Sequence, residues 1–439
     1  MKVKIESTRI IKPIYEGMFP PSTSQFIPLS VFDRVTYNTH IAVIYAYRPP
    51  TPTNAIIELG LQKALSEYRE WAGRLGEDEK GDPVIFLNDK GVKLVEASVD
   101  CMLDQLLPLK PSPVLLSLHP SLKDVEEHVQ VQLTRFTCGS LVIGFTAHHS
   151  VADGHSTSNF LVSWGKACRG LDMSPFPLHD RTIFKPRKPP IFEFEHIGAE
   201  FKNKNACPNH YADNFSDDSI IVHKVHFTMD FLSNLKARAS SLSNNGLQNK
   251  PYSTFESLVA HLWRAITKAR GLGGYKTTHV RISVNGRMRM SPKVPNEYFG
   301  NLVLWAFPTA KVKDLLREPL PYAAKIIHEA IAKVNDNYFK SFIDFATHKA
   351  EKEEDLVPTA EMNKSVLYPN LEVDSWLRFP FYDLDFGGGS PYLFMPSYFP
   401  TEGMIFLLPS FIGDGSIDAF IPLFQENLAT LKEIVYSLD

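Results

Sequence analysis

Hydrophobic and polar positions follow two different periods along the chain, and these periods predict both helices and strands. Apolar residues recur every three or four positions over Thr53–Leu75 and Thr254–Ala269, which predicts two amphipathic helices. Short β-branched and apolar runs at Val129–Phe136 and Leu141–His148 predict strands instead. Because a turn sequence at 137–140 separates these two runs, we expect the strands to pair.

The same mixture continues through the rest of the chain. We expect a second strand pair around a turn at Asn88-Asp89. Strands and helices do not alternate as regular βαβ units, so the pattern favours an α/β fold with mixed sheets. The further predicted strands are Pro83–Leu87, Val92–Ala97, Ile220–Met229, Thr278–Asn285, Leu302–Ala310, Tyr382–Phe386, Tyr392–Met395, Gly403–Pro409 and Ser416–Pro422.

A polar stretch rich in proline divides the chain into two parts. Six prolines lie between Arg169 and Asp218, where the hydrophobic period is lost. A chain of 439 residues also exceeds the size of one hydrophobic core, which stops growing near roughly 250–300 residues. We therefore expect an N-terminal domain over 1–180, a crossover linker over 181–218 and a C-terminal domain over 219–439.

Composition narrows the class of protein. The chain is 44% hydrophobic and its net charge is −3, which gives no basic footprint for nucleic acid. Four cysteines without C-x-x-C spacing predict reduced thiols, and no stretch has the pattern of a signal peptide or a membrane span. These features predict a cytoplasmic protein, which we expect to be a monomer acting on small molecules.

His149 is the strongest candidate for chemistry. It lies where the predicted strand 141–148 ends and a turn leads into a predicted helix. An imidazole with an ordinary pKa of roughly 6.5 suits a general base. A lone histidine at a strand end is more often structural, and the crowding of His148, Asp153 and His155 leaves a metal site as an alternative. No known metal-ligand spacing such as H-E-x-x-H is present, however.

Three motifs resemble signatures of the plant BAHD acyl-CoA-dependent acyltransferases. They are His149-Ser-Val-Ala-Asp153-Gly154, then Tyr298-Phe-Gly-Asn301, then Asp385-Phe-Gly-Gly-Gly389, in the family's order. The resemblance extends from end to end. It is nearest to the amine N-hydroxycinnamoyltransferases of the agmatine coumaroyltransferase and tryptamine hydroxycinnamoyltransferase type.

The resemblance implies a fold and a reaction. The fold would be two chloramphenicol-acetyltransferase-like domains with a channel between them, and the segment at about 360–385 would pack with the N-terminal domain. The reaction would move a hydroxycinnamoyl group from coenzyme A to a primary amine, with His149 as general base. Since no G-x-S-x-G nucleophile is present, direct transfer in a ternary complex fits best. Acyl-CoA is then a co-substrate, with no metal and no permanently bound cofactor.

Several residues around these motifs have two interpretations. Asp153 could orient His149 as in a triad, but the resemblance implies that it pairs with Arg287 in a structural ion pair. Asp385, Gly387 and Gly389 would likewise shape a tight structural turn away from the cleft. Gly388 departs from the family pattern, which has Trp at this position.

The substrate contacts are also open. Asp374 occupies a position where the family often has Thr, and a carboxylate suits an ammonium or guanidinium better than an oxyanion. With Glu372 and Trp376 it could bind the acceptor, or the two acids could form a solvated pair. A carboxylate at Asp374 therefore ranks agmatine first among possible acceptors, before tryptamine, serotonin or tyramine, and before a hydroxyl acceptor.

Coenzyme A would bind near Ser253 and Thr254, which the resemblance places in the coenzyme-binding region. Both residues open the predicted helix Thr254–Ala269, and a helix N-terminus attracts phosphates. As an isolated signal, Ser253 is only a helix cap, because Ser253-Thr-Phe-Glu256 has the pattern of a capping box.

Overall fold

The computed structural model describes residues 1–17, 19–204, 219–241, 251–350, 355–360 and 365–438. Residues 205–218 of the expected linker therefore lie outside the described residues. The elements of the N-terminal part are β1 (Lys4–Ile11), β2 (Phe26–Pro28), α1 (Val31–Val35), β3 (His40–Tyr47), α2 (Asn54–Glu67), α3 (Arg69–Ala72), β4 (Arg74–Glu77), β5 (Pro83–Phe86), β6 (Val92–Val99), β7 (Val129–Phe136), β8 (Leu141–His148), α4 (Gly154–Cys168) and β9 (Phe201–Asn203).

The C-terminal part carries the remaining helices and strands. They are β10 (Ile220–Phe227), α5 (Met229–Ala239), α6 (Thr254–Ala269), β11 (Thr277–Asn285), β12 (Val303–Ala306), β13 (Thr309–Lys311), α7 (Val312–Arg317), α8 (Leu320–Lys333), α9 (Asp336–Phe345), β14 (Leu356–Pro358), β15 (Leu371–Ser375), β16 (Leu393–Pro396), β17 (Met404–Pro409), β18 (Ile417–Phe424) and α10 (Gln425–Ile434).

Two large mixed sheets organise the fold, as predicted. The first has six strands in the order β1-β6-β7-β8-β3-β16, with β6 and β7 parallel. The second runs β10-β18-β17-β15-β11-β12, with β13 also paired to β11. In this second sheet β15 is parallel to both β11 and β17. The small sheets β2-β5-β4 and β9-β14 complete the described part of the chain.

The chain returns late to its first sheet. Strand β16 pairs antiparallel with β3, so residues 393–396 belong to the sheet of the N-terminal part. This crossing comes after the segment 360–385 expected from the sequence, in which β15 belongs to the second sheet. The segment nevertheless contacts the N-terminal part, because Glu372 accepts from the Tyr37 hydroxyl and Phe379 lies over Gly154. A cut at 181–218 therefore does not separate the two sheets.

The predictions made from local sequence patterns have different outcomes. Strands β7 and β8 pair as an antiparallel hairpin, as predicted. The predicted helix 53–75 is interrupted at Tyr68, where α2 ends and the short helix α3 follows, and the prediction is wrong only at its end, where Arg74 and Leu75 belong to β4. The predicted pair 83–97 is also wrong, since β5 joins β2 and β4 whereas β6 joins β1 and β7.

Helix α4 is fixed by close packing against α2. A Cβ built on Gly60 would lie 2.2 Å from Cys168 Sγ, so only glycine permits this approach. The indole nitrogen of Trp164 also donates to the backbone oxygen of Ile57 at 3.0 Å. This packing fixes the C-terminal half of α4, and Asp153 is the N-cap at the other end of the helix.

Candidate active site

The backbone of His149 is held from both sides at the end of β8. Its amide nitrogen donates to the oxygen of Thr39 at 2.8 Å. Its own carbonyl accepts from the Asn301 side chain at 2.9 Å. Thr39 precedes β3 and Asn301 precedes β12, so both parts of the chain fix this residue.

The imidazole of His149 is oriented by a hydroxyl. Nδ1 lies 3.0 Å from Thr36 Oγ1. The side chain of His149 lines a cavity, and the side chain of Asn301 also acts on the ring. Burial lowers the pKa of His149, although the charge of Asp153 acts in the opposite direction. The ring is therefore neutral near pH 7 and can accept a proton.

The carboxylate of Asp153 is fully used by other groups. Arg287 donates to both of its oxygens, at 2.8 and 3.1 Å. The amides of Ser156 and Leu302 donate to it at 2.9 and 3.0 Å. A carboxylate has about four lone-pair positions, so none is left to orient His149. This is an N-cap and an ion pair rather than a triad geometry.

A large apolar cavity adjoins His149. Its space, including its opening to solvent, is about 1070 Å³. Both parts of the chain contribute to its walls. The apolar and aromatic lining residues are Tyr37, Ile41, Val43, Phe145, Ala147, Ala152, Leu161, Val303, Trp305, Trp376, Phe379, Phe381, Phe399, Met404 and Phe406.

Two acidic residues line this cavity, Asp153 and Asp374, and Asp153 is already paired with Arg287. The Ser283 hydroxyl donates to Oδ1 of Asp374, and no other described residue forms a hydrogen bond or ion pair with it. Burial raises the pKa of Asp374, while Ser283 and Arg281 lower it. A carboxylate that is desolvated but poorly paired gains most from a bound cation.

Glu372 does not share this role, and its expected acceptor contact is not supported. Glu372 lies two residues before Asp374 on β15 and does not line the cavity. Its carboxylate accepts from the Tyr37 hydroxyl and lies 3.8 Å from the Arg281 guanidinium. Arg281 in turn stacks on Trp305, 3.9 Å from the ring centre. The sequence reasoning missed both Tyr37 and Arg281, because they come from distant strands.

Trp376 is half-buried in the cavity wall. Its ring packs against Phe381, Phe394 and Phe406 at centroid distances of 5.7, 5.9 and 5.0 Å. Phe394 lies on β16, the strand that returns to the first sheet. Trp376 thus offers an apolar surface to a ligand and also joins the two sheets.

The motif 385–389 lies beside α4 and outside the cavity. Asp385 Oδ1 accepts from the amides of Gly387 and Gly389 at 2.7 and 2.8 Å, and its Oδ2 pairs with Arg169 at 3.1 Å. Both glycines have positive φ, which favours residues without a Cβ. A Cβ on Gly388 would lie 2.2 Å from the Pro50 oxygen. The backbone of Pro50 therefore occupies the space next to the position where the family pattern has Trp.

Ser253 and Thr254 open α6 as predicted, but Ser253 is already engaged. Its amide and hydroxyl both donate to Glu256 at 2.7 Å, which completes a capping box. The second oxygen of Glu256 bonds to His328 at 2.7 Å. A carboxylate thus occupies this helix start, and neither Ser253 nor Thr254 lines the cavity. The geometry does not favour them as phosphate ligands.

The histidines that suggested a metal site separate in the structure. His148 turns away from the cavity towards His40, with ring centres 4.8 Å apart. His155 bonds to the oxygen of Asn296 at 3.1 Å. Among the described residues, no group of three or more His, Cys, Asp or Glu side chains could hold a metal ion.

Comparison with known proteins identifies the family. A sequence model described as the transferase family matches residues 1–438. The chain belongs to this family, the BAHD acyltransferases. It is therefore an enzyme of the acyltransferase class, as its three motifs predicted.

Characterised relatives match over the full length. The chain is 51% identical to agmatine hydroxycinnamoyltransferase 1 of Oryza sativa subsp. japonica, covering 100% of this chain and 99% of that protein. It is also 51% identical to agmatine coumaroyltransferase-1 of Hordeum vulgare, with both chains fully covered. Putrescine hydroxycinnamoyltransferase 3 of Oryza sativa subsp. japonica is 51% identical as well, again over the full length of both.

Solved structures confirm the fold. Vinorine synthase superposes with a TM-score of 0.73 at 22% identity, covering 100% of this chain and 98% of that one. TRI101 of F. sporotrichioides, solved with coenzyme A and T-2, gives a TM-score of 0.74 at 19% identity, covering 94% and 97%. Within the described residues, no helix is long and apolar enough to cross a membrane.

Proposed function

We propose that the protein transfers a hydroxycinnamoyl group of the p-coumaroyl type from coenzyme A to a primary amine that carries a second, distal cation. Agmatine is the first choice of acceptor. Relatives at 51% identity bear agmatine and putrescine in their names. The observation that carries the proposal is the position of Asp374, a poorly paired carboxylate that lines the same cavity as His149.

His149 supplies the proton transfer. The amine attacks the thioester carbonyl while Nε2 of the neutral imidazole takes a proton from its nitrogen. The tetrahedral intermediate then expels the thiolate of coenzyme A, and the imidazolium returns the proton to that sulfur. The products are an amide and free coenzyme A, and no acyl-enzyme forms. Both substrates must be bound together, which a cavity between two sheets permits.

Asp374 would bind the distal charge. An aliphatic ammonium has a pKa of roughly 10, so a diamine or guanidino amine keeps its second charge at neutral pH. A cation at Asp374 lowers the energy of a carboxylate whose pKa burial raises. Glu372 is occupied by Tyr37 and Arg281, so Asp374 is the acid left for the ligand.

Putrescine is the second candidate acceptor. The relatives named for agmatine and for putrescine are equally similar to this chain, at 51% identity. A guanidinium can bind a carboxylate through two parallel hydrogen bonds, whereas an ammonium binds as a point charge. This favours agmatine. A relative named for tryptamine is more distant, at 38% identity, so aromatic amines and hydroxyl acceptors are not favoured.

The test is a thiol-release assay with p-coumaroyl-CoA and a panel of acceptors. We expect release with agmatine, less with putrescine, and little with tryptamine, tyramine or alcohols, and mass spectrometry should show the amide. A preference for a hydroxyl acceptor would refute the proposal. The cytoplasmic location and monomeric state stay predictions, which localisation of the tagged chain and size-exclusion chromatography would test.

A further inference from the structure

We propose that Thr36 is the positioning residue of His149 and takes the place that an acidic residue has in a catalytic triad. Its Oγ1 lies 3.0 Å from Nδ1, the ring nitrogen that faces away from the reaction. The inference rests on the proposed function, in which Nε2 of His149 is the base.

The residue expected in this place cannot perform the role. The carboxylate of Asp153 accepts four hydrogen bonds, from Arg287 twice and from the amides of Ser156 and Leu302. Thr36 Oγ1 lies within hydrogen-bond distance of Nδ1 of His149, and the side chain of Asn301 also acts on the ring. We infer that the hydroxyl on Nδ1 is what orients the imidazole for catalysis.

A rigid assembly presents Thr36 to the ring. Thr36 is the C-cap of α1, whose start is fixed by a capping box between Ser30 and Asp33. Asp33 also accepts from the amide and the side chain of Asn301, both at 2.9 Å. The same Asn301 side chain donates to the carbonyl of His149. One buried asparagine thus fixes α1 and the base relative to each other.

This asparagine gives a role to the motif Tyr298-Phe-Gly-Asn301. Asn301 is 1% exposed and Asp33 is equally buried, and Arg181 lies 2.9 Å from the Asp33 carboxylate. Removing any member would leave a buried polar group without its partner. The motif therefore acts on the base from the C-terminal part of the chain, through α1.

The hydroxyl adds no charge, and its oxygen can accept a hydrogen bond from Nδ1–H in the reactive tautomer. When Nδ1–H donates to Thr36 Oγ1, the lone pair of Nε2 is free to accept the proton of the amine. An acidic partner would select this tautomer but would also favour the imidazolium, and the base would then hold its proton more tightly. During transfer the Nδ1 proton stays in place, and only the Nε2 proton moves from the amine to the departing sulfur.

The matched variants are Thr36→Val, which keeps the shape but removes the hydroxyl, and Thr36→Ser, which restores it. We expect Thr36→Val to lower kcat on the order of 10-fold or more, with KM for both substrates nearly unchanged, because a misoriented group loses rate rather than binding. Thr36→Ser should stay within about threefold of the wild-type kcat. Thr36→Ala replaces the valine variant if that variant does not fold.

Nitrogen-15 NMR of histidine-labelled protein supplies the second measurement. In the wild type we expect the His149 signal of the Nδ1–H tautomer, and in Thr36→Val a mixture of tautomers. Unchanged kcat and an unchanged tautomer in Thr36→Val would overturn the inference. So would a loss confined to KM, or a Thr36→Ser protein as slow as the valine variant. If His149→Ala keeps its turnover, the proposed mechanism itself fails, which is a separate result.

Discussion

Asp153 and Arg287 form a bidentate, buried ion pair, with N–O distances of 2.8 and 3.1 Å. Burial by itself would raise the pKa of Asp153, but the charge and hydrogen bonds of Arg287 outweigh it and lower the pKa. The pair joins the start of α4 to the segment after β11. It therefore connects the sequence motif around His149 with the C-terminal part of the chain.

Loss of this pair should reduce stability first and activity second. Removing one partner of a buried pair leaves an unpaired charge and costs roughly 3–5 kcal/mol. We expect Asp153→Asn and Arg287→Ala each to lower the free energy of unfolding in urea by about this amount. The double variant should lose less than the sum, because each change removes the same interaction. An Asp153→Asn protein that is fully stable yet inactive would instead restore the triad interpretation.

The two adjacent histidines should behave differently. His149 faces the cavity, whereas His148 lies at the opposite side of the strand beside His40. We expect His149→Ala to keep its fold, judged by circular dichroism, and to lose turnover by about 10²-fold or more. His148→Ala should retain most of its kcat at a lower melting temperature. Similar losses of kcat in both variants would contradict a single base.

Gly388 should tolerate no side chain at all. A Cβ at this position would lie 2.2 Å from the Pro50 oxygen, a contact that the backbone must move to relieve. We expect Gly388→Ala to cost roughly 1–3 kcal/mol in the free energy of unfolding, the usual range for overpacking. Gly274→Ala is the control, because its Cβ would meet nothing nearer than 3.4 Å. Equal stability of the two variants would show that Pro50 yields easily.

Acid should begin to destabilise the protein at pH values well above the pKa range of its carboxylates. Burial lowers the pKa of His128 to about 4 and that of His148 to about 3. The unfolded chain binds these protons near pH 6.5, while the folded protein does not, so stability is present above that pH and falls as the pH drops towards about 4. His179 opposes this trend, because burial lowers its pKa but pairing with Glu70 outweighs burial and raises it.

Midpoints of urea unfolding at pH 7.5 and pH 5.5 test whether stability falls on acidification. At pH 5.5 each buried neutral histidine should cost about 1.4 kcal/mol. The change in urea midpoint between these two pH values should be smaller in His148→Gln than in the wild type. A midpoint that rises on acidification would mean that the raised pKa of His179 dominates.

Sequence alone could predict the parts of the fold whose causes are local. The capping box from Ser253 to Glu256 needs only four consecutive residues, and the β7–β8 hairpin needs one turn. The pairing of β16 with β3 joins residues some 350 positions apart, and no local pattern carries that information. The turn at Asn88-Asp89 predicts a hairpin that does not form, because a turn does not reveal which strands its flanking segments will join.

The residues of the candidate site also differ in whether the sequence alone could predict them. His149 could be located from its position at the end of a strand and from its motif. Glu372 and Asp374 are equivalent in sequence, two positions apart on one strand. Only the fold shows that Tyr37 and Arg281 reach Glu372 while Asp374 meets the cavity with Ser283 alone among described partners. Thr36 carries no sequence signal, since its role depends on where α1 ends.

The most direct test of the central claim compares two acceptors in two proteins. Agmatine and pentylamine are of similar length at the reactive end, but only agmatine has a distal cation. We expect wild type to prefer agmatine strongly in kcat/KM, because its guanidinium meets the Asp374 carboxylate. In Asp374→Asn the preference should fall by at least about 10-fold, the loss of one charge-assisted hydrogen bond, with KM for p-coumaroyl-CoA unchanged. An unchanged ratio of the two kcat/KM values in Asp374→Asn would contradict the account.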